Sequence, residues 1–290
     1  QSFFTGFGQT LANVSLFVFP MIFIGTTGKL PTWVFASFIL GSICSIGSVW
    51  WSSYTTKEIP PTEEELQKIQ SEKVNIFTPF IDIFLAIKEM PKVMWQLALV
   101  YLFQWYALFC YWQNSSKSIA LSVWNTTPQQ NSKLYEEAVG WTGLVNGWYN
   151  IVTCLCAFKM VNIAKKYSPK MVHFACLLLA ATGFLIFPHI ENKYLLFPAI
   201  TGFGIGWASM MGIPYLMVVN NIPKERYGVY MGIINMMIVI PMFIQTITFG
   251  YIMKHFLHND PRLAITFAGV LLVLAAVFTL SISTKKAVNE

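Results

Sequence analysis

Charged residues are scarce in this sequence of 290 residues. Only 11% of the chain is Asp, Glu, Lys or Arg, whereas 55% is hydrophobic. A soluble globular domain carries about 25% charged residues, and here the charges fall mainly between long apolar runs. The composition therefore excludes a pair of soluble domains and indicates a polytopic membrane protein. The basic residues behind the net charge of +6 are scattered singly between the runs, which does not fit a nucleic-acid-binding surface.

The sequence also lacks the groups of side chains that metal and nucleophilic chemistry require. None of the four histidines stands at metal-ligand spacing with a cysteine or a carboxylate. All five cysteines lie inside apolar runs, which favours packed core residues over a disulfide framework. No glycine-rich phosphate-binding loop is present, since Gly202, Gly204 and Gly206 lie within an apolar run. We therefore predict that the chain is not an enzyme and binds no metal or cofactor.

No apolar run carries a carboxylate, a lysine or an arginine at its centre. In lipid, such a residue would be a functional candidate by default. The runs carry amide, hydroxyl and aromatic groups instead. The lack of cationic groups argues against a phosphorylated or strongly anionic ligand, because such ligands bind through Arg or Lys.

Eight apolar runs approach or exceed the roughly 20 residues that span the core of a bilayer. We predict an all-α integral membrane protein with membrane helices at about residues 3–24, 33–54, 93–113, 139–163, 171–188, 194–219, 228–253 and 263–283. Residues 55–92 separate the second helix from the third and carry most of the acidic residues. This segment contains a capped helix start at 58–66 and a short amphipathic helix at 77–90. We expect a polar loop at residues 114–137.

Lysine and arginine predict the orientation of these helices. About twice as many of them fall on the side of the segment 55–92 as on the opposite side. This bias predicts that the segment and both ends of this chain lie in the cytoplasm. The membrane would be a plasma membrane or a bacterial inner membrane.

A short basic hairpin at residues 220–227 joins two long apolar arms. Pro223 opens the hairpin, and Pro214 and Pro241 each interrupt one arm, which lipid tolerates only where protein or a wet cavity satisfies the freed carbonyl. The sequence P-K-E-R-Y-G-V-Y-M-G-I-I-N starts at Pro223, I-V-I-P follows it, and I-P-Y-L-M precedes it. Together these segments resemble the loop between helices ten and eleven of the major facilitator superfamily. More narrowly, they are similar to the sucrose-transporter-like branch, which holds plant sucrose–proton symporters and animal and bacterial relatives.

The resemblance implies the major facilitator fold, in which twelve helices form two six-helix halves joined by a long cytoplasmic loop. Residues 1–54 would be the last two helices of the N-terminal half, residues 55–92 the central loop, and residues 93–290 the C-terminal half. The eight predicted helices would then correspond to helices five to twelve, and the first four are absent from this sequence. In this order the hairpin falls between helices ten and eleven, where its own motif also places it.

The resemblance also implies a function. Transporters of this branch move a neutral sugar, such as the oligosaccharides sucrose or maltose, by alternating access, with a proton or alternatively sodium as the coupling ion. Their basic loop helps to latch the cytoplasmic gate, a role that would fall here to Pro223, Arg226, Gly228 and Gly232. Arg226 would pair with a carboxylate, and the two glycines would permit close helix contact. Asn220 stands where the family tends to have an acidic residue, and the family's coupling aspartate is expected in the N-terminal half.

Neutral polar and aromatic residues inside the predicted helices are the candidates for substrate binding. Amides can hydrogen-bond to sugar hydroxyls, and aromatic faces can stack on sugar C–H groups. The candidates are Gln9, Asn13, Gln104, Trp105, Asn146, Tyr149, Asn150 and Asn235. The same residue types also join membrane helices by hydrogen bonds or form interfacial belts, so a structural role stays open for each of them.

Three other functions stay open on the sequence alone. A carrier of another small neutral solute would have a similar lining, and a non-transporting membrane receptor could use the same fold. A polytopic membrane enzyme would need a nucleophile–base set or a metal cluster, which the sequence does not show. The expected partners are a small-molecule sugar, a coupling ion and the lipid bilayer, without nucleic acid.

Overall fold

The computed structural model describes residues 18–19, 21–23, 26–27, 30–56, 62–63, 66, 78–219, 221–223 and 226–283. The chain forms two units, one from residue 18 to 89 and one that begins at Met90, and each is described by itself. The predicted first membrane helix at residues 3–24 lies almost entirely outside the described residues, as does most of the capped start at 58–66.

The unit of residues 18–89 is built around one long apolar helix. Strands β1 (Thr26–Thr27) and β2 (Leu30–Pro31) form a short antiparallel pair in front of it. Helix α1 (Thr32–Thr55) follows directly and confirms a helix at the predicted position 33–54. None of its residues is buried, as expected of a helix whose apolar side chains face lipid. Helix α2 (Thr78–Lys88) confirms the short helix predicted at 77–90.

The described part of the unit that begins at Met90 contains six long helices. They are α3 (Lys92–Trp124), α4 (Ser132–Tyr167), α5 (Pro169–Ile186), α6 (Leu196–Val219), α7 (Tyr227–His255) and α8 (Pro261–Thr279). Two short 3₁₀ turns, Phe187–His189 and Lys193–Leu195, connect α5 to α6. Helix α5 packs against α6 and α8, α3 packs against α8 and α7, and α4 packs against α6. The core therefore lies between α3, α5, α6 and α8, with α4 and α7 at its sides.

Six helices in the described part of the chain are long and apolar enough to cross a membrane by length and composition. They are α1, α3, α5, α6, α7 and α8, with the 3₁₀ turns included in α5 and α6. Helix α4 covers the predicted span 139–163 but is not among the six, because its threonines and asparagines and its charged ends lower its apolar character. The predicted number of eight membrane helices is therefore not confirmed, whereas the helical membrane architecture is.

Both predicted bounds of the polar loop at residues 114–137 are wrong. Helix α3 continues to Trp124, and α4 already begins at Ser132. Asn114 and Ser118 are buried on the packed face of α3, so tertiary packing extends the helix through a segment whose local composition indicated a loop. The helix ends at Asn125, which adopts a left-handed conformation with φ 47°.

Glycines allow α6 to approach both of its neighbours closely. A Cβ atom on Gly183 of α5 would lie 2.5 Å from a backbone carbonyl oxygen of α6. A Cβ on Gly202 of α6 would likewise contact the backbone oxygen of Leu179 on α5. On another side of α6, a Cβ on Gly204 would lie 2.6 Å from the backbone oxygen of Tyr149 on α4. These contacts fix α6 between α5 and α4, as small residues do in membrane bundles.

Asp260 caps the first turn of α8. Its side chain accepts a hydrogen bond from the backbone N–H of Arg262 at 2.8 Å, and the Arg262 guanidinium donates to Oδ1 at 3.1 Å and to Oδ2 at 2.7 Å. The hydrogen bonds from Arg262 hold the pKa of the Asp260 carboxyl below its ordinary value of 3.8. Because the folded-state pKa is lowered, the ionised carboxylate stabilises the fold at pH values above 3.8, and this contribution is lost as the pH falls through the folded-state value.

We expect Asp260→Asn to remove the pH-dependent stabilisation that the ionised Asp260 carboxylate contributes. Asparagine is also a good N-cap, so the substitution removes the charge and keeps a cap. The wild type should melt at a higher temperature than the variant at pH 7, and the difference should shrink as the pH falls below 3.8 and through the lowered folded-state pKa of Asp260. Thermal unfolding of the two proteins in detergent, from neutral to acid pH, measures this difference. A difference that stays the same in acid would show that the charge is not responsible.

Candidate substrate-binding site

Three tryptophans form a triangle between α3 and α6, which we call the tryptophan cluster. The ring centroids of Trp105 and Trp112 lie 6.4 Å apart, and both rings contact Trp207 of α6 at 5.8 and 5.6 Å. The contacts between Trp207 and the other two are edge-to-face, the arrangement that aromatic quadrupoles favour. Trp105 and Trp112 are seven residues apart, so they lie on one face of α3.

A second group of aromatic rings connects this cluster to α4 and α5. The Tyr111 ring stacks on Phe184 of α5 at 4.5 Å and contacts Phe203 of α6 at 5.4 Å. Phe203 also contacts Tyr149 of α4 at 4.6 Å. The Tyr111 hydroxyl donates a hydrogen bond to Asn146 Oδ1 at 2.8 Å. Asn146 is half-buried, so this hydrogen bond fixes an amide at the edge of the aromatic group.

Several buried polar atoms in this region make no hydrogen bond to any residue that the structure describes. They are both amide atoms of Gln104, the indole nitrogens of Trp105 and Trp207, and Asn150 Oδ1. Gln104 is 0% exposed and Trp105 only 4% exposed. Buried polar groups in proteins nearly always have a partner, and leaving one without costs about 1–3 kcal/mol. These atoms therefore form a set of donors and acceptors that a neutral, hydroxyl-bearing ligand could satisfy.

The structure brings five of the predicted binding residues into this region, and a sixth, Asn235, lies on another helix. Gln104, Trp105, Asn146, Tyr149 and Asn150 lie on the packed faces of α3 and α4, and the Asn150 amide donates to the Asn146 backbone oxygen at 2.8 Å. Asn235 is exposed on α7, which packs against α3. The two remaining candidates, Gln9 and Asn13, lie outside the described residues.

The site also contains three residues that were not among the predicted binding residues, namely Tyr111, Trp112 and Trp207. The seven-residue spacing of Trp105 and Trp112 in the sequence indicates a shared helix face. Trp207 could not be found in the same way, because its place beside Trp105 depends on how α6 packs against α3.

His173 and Ser209 form a separate polar link between α5 and α6. The His173 Nδ1 atom and the Ser209 Oγ atom lie 2.7 Å apart, and both side chains are fully buried. His173 lies near the start of α5, and its burial follows from the close packing of α5 on α6. Among the described residues there is no group of three His, Cys, Asp or Glu side chains that could hold a metal ion.

The predicted gating residues lie at the start of α7. Pro223, Arg226 and Gly228 are exposed, and the Arg226 backbone N–H donates to the Pro223 carbonyl at 3.3 Å. A Cβ atom on Gly228 or Gly232 would meet no described residue within 4 Å. Close helix contact at these two glycines therefore stays a prediction. Asn220 lies outside the described residues.

A comparison with protein families matches residues 1–246 of the chain to the family described as the Major Facilitator Superfamily. The match covers the described helices from α1 to the middle of α7. A comparison with curated proteins found no match.

Proposed function

The chain belongs to the major facilitator superfamily, whose members are secondary transporters of small solutes in membranes, and we propose that it moves a neutral sugar, such as sucrose or maltose, by alternating access. The observation that carries this proposal is the tryptophan cluster together with the unpaired amide and indole groups beside it. The motif at residues 213–241 supports the sucrose-transporter-like branch as the narrower assignment.

The chemistry of the site fits an uncharged ligand with many hydroxyls. The tryptophan cluster and the amides of Gln104, Asn146 and Asn150 include no carboxylate, ammonium or guanidinium group. Sugar hydroxyls can both donate and accept hydrogen bonds, so they can satisfy amide oxygens as well as indole N–H groups. The rings of Trp105 and Trp112 offer apolar faces to sugar C–H groups.

The proposed route to the site starts at its half-buried edge. Trp112 and Asn146 are half-buried, whereas Gln104 and Trp105 are buried. A sugar would therefore first contact the edge residues and reach the buried amides when the helices rearrange during alternating access. Such a rearrangement is the gating step by which transporters expose a central site to one side at a time.

Coupling to a proton is proposed from the family resemblance. The six described helices that could cross a membrane contain no Asp or Glu. A proton-coupled carrier needs a titratable group in its path, and the resemblance places the coupling aspartate in the N-terminal half. The proposed arrangement therefore assigns sugar binding to the helices described here and proton binding to the other half of the transporter.

Uptake into proteoliposomes tests both parts of the proposal. We expect the complete chain to take up labelled sucrose or maltose with saturation, and an inward proton gradient to increase the uptake. Saturable uptake that does not depend on the proton gradient would contradict proton coupling. Inhibition by amino acids or nucleosides, without inhibition by sugars, would assign the carrier to another neutral solute. The absence of any flux would favour a non-transporting receptor.

We expect Gly228→Ala to slow transport without weakening sugar binding. The added methyl group meets no described residue within 4 Å, so the unit that begins at Met90 should fold normally. If the glycine permits close helix contact at the gate, the methyl group should reduce turnover about tenfold, which corresponds to ~1.4 kcal/mol in the barrier. Melting temperature, equilibrium sucrose binding and initial uptake rate would be measured together. Unchanged uptake would remove this glycine from the gate.

A further inference from the structure

A polar groove of about 500 Å³ lies between α3, α7 and the start of α8, and none of the three tryptophans of the tryptophan cluster lines it. Gln113, Asn114 and Lys117 of α3 line one wall, and Gln245, Phe249 and Met253 of α7 line the opposite wall. We call it the α3–α7 groove. Its volume lies in the range of sites that bind small molecules.

One wall of the groove carries a buried amide with an unused acceptor. Gln245 is 0% exposed, and its Nε2 atom donates to Gln113 Oε1 at 3.1 Å. Its Oε1 atom makes no hydrogen bond to any residue that the structure describes. Two amide side chains are thus held side by side at the groove. The Gln245 oxygen requires a donor such as a ligand hydroxyl, because an unpaired buried acceptor is unfavourable.

The groove also carries a positive charge that nothing nearby neutralises. Lys117 is exposed and makes no ion pair with any described residue. Asp260 lines the adjoining groove, which Lys117 also lines, but both oxygens of its carboxylate accept hydrogen bonds from Arg262. With Asp260 and Arg262 neutralising each other, the groove has a local charge of about one positive unit, which favours an anionic ligand.

The depth of the groove in the membrane indicates the source of the ligand. Helix α7 has 29 residues, and at about 1.5 Å per residue it is longer than the roughly 30 Å hydrocarbon core. Asn259 and Pro261, which also line the groove, lie where the chain passes from α7 to α8, so this end of the groove lies near the level of the lipid head groups. The exposed side chains of Ile247 and Tyr251 on an adjacent face supply an apolar surface for acyl chains.

We infer that the α3–α7 groove binds the head group of an anionic phospholipid, a phosphate diester that carries free hydroxyls. In this complex Lys117 contacts the phosphate, Gln245 Oε1 accepts a hydrogen bond from a hydroxyl, and Phe249 and Met253 contact the glycerol and upper acyl carbons. Lysine binds phosphate groups as a point charge.

Native mass spectrometry of the full chain in a neutral detergent tests this inference. The protein is titrated with phosphatidylglycerol and with phosphatidylcholine of the same acyl chains. We expect phosphatidylglycerol to bind at least about tenfold more tightly, since it alone combines a net charge with free hydroxyls. Lys117→Gln should weaken its binding about fivefold, and Lys117→Arg should retain it.

Two further variants separate the groove from general surface charge. Lys133→Gln removes an exposed lysine of α4 that does not line the groove, and it should leave binding unchanged. Gln245→Met removes both amide atoms at similar volume and should lower the preference for phosphatidylglycerol over phosphatidylcholine. Melting temperatures confirm that each variant is folded.

Three results would overturn the inference. Equal affinity for the two lipids would exclude an anionic head group site. Phosphatidylglycerol binding that survives both Lys117→Gln and Gln245→Met would place the lipid elsewhere. Displacement of the lipid by millimolar glycerol 3-phosphate, in a manner that depends on Lys117, would assign the groove to a soluble phosphate ester instead.

Discussion

Replacing Trp105 by alanine is expected to reduce sugar uptake by at least about tenfold, or ~1.4 kcal/mol in transition-state stabilisation. The Trp105 ring contacts Tyr101, Trp112 and Trp207 at centroid distances of 6.2, 6.4 and 5.8 Å. Its removal deletes one face of the tryptophan cluster and frees the two remaining indoles to move. Initial uptake rates of labelled sucrose in proteoliposomes measure the effect.

The matched control is Trp95→Ala, which makes the same change on the same helix. Trp95 is 54% exposed and lies outside the tryptophan cluster, so uptake by this variant should stay near the wild-type rate. Burial of Trp105 means that its loss also costs stability, about 3–5 kcal/mol for a large aromatic residue. Trp105→Phe therefore serves as a second variant, since it keeps an aromatic ring while it removes the indole N–H and part of the ring surface. Wild-type uptake by a folded Trp105→Ala protein would remove this residue from the site.

Gly202→Ala is expected to have the second large effect, a loss of stability of the folded protein. The new Cβ atom would contact the backbone oxygen of Leu179, and a backbone atom cannot move aside as a side chain can. Helices α5 and α6 would have to separate, which should destabilise the protein by about 1–3 kcal/mol. A fall in the melting temperature of the purified protein in detergent would show this.

Gly232→Ala provides the control for this stability change. A Cβ atom at Gly232 meets no described residue within 4 Å, and alanine favours a helix interior by up to about 1 kcal/mol over glycine. This variant should melt at or slightly above the wild-type temperature. If Gly202→Ala also melts with the wild type, then α5 and α6 do not pack at the distance that the structure gives.

The helical membrane class and the superfamily could be predicted because each depends on local sequence. Long apolar runs determine which segments cross lipid, and the match over residues 1–246 confirms the superfamily that the hairpin motif indicated. The length of α3 could not be read in this way. Residues 114–124 look like a polar loop, yet Asn114 and Ser118 are buried against other helices. The packing of α3 against other helices, which a single sequence does not reveal, makes this segment helical.

The candidate site likewise combines residues that the sequence indicated with residues that only helix packing brings there. Trp105, Asn146 and Asn150 stood out because polar and aromatic residues are conspicuous inside apolar helices. Phe203 looks like an ordinary core residue in the sequence, and only the approach of α6 to α3 and α4 places it and Trp207 beside the candidates. The close approach of Gly202 to Leu179 was equally hidden, since glycines in a membrane helix do not reveal which partner they face.

Sugar counterflow tests the central claim most directly. Proteoliposomes that contain the complete chain are loaded with unlabelled sucrose and diluted into a trace of labelled sucrose, with no proton gradient. A carrier with one site that opens to either side exchanges the two pools, so we predict transient accumulation of label in wild-type vesicles and its loss in the Trp105→Ala variant. Maltose should replace sucrose as the internal sugar if both bind the tryptophan cluster. The absence of counterflow with any neutral sugar, from protein that is folded by its melting temperature, would contradict the account.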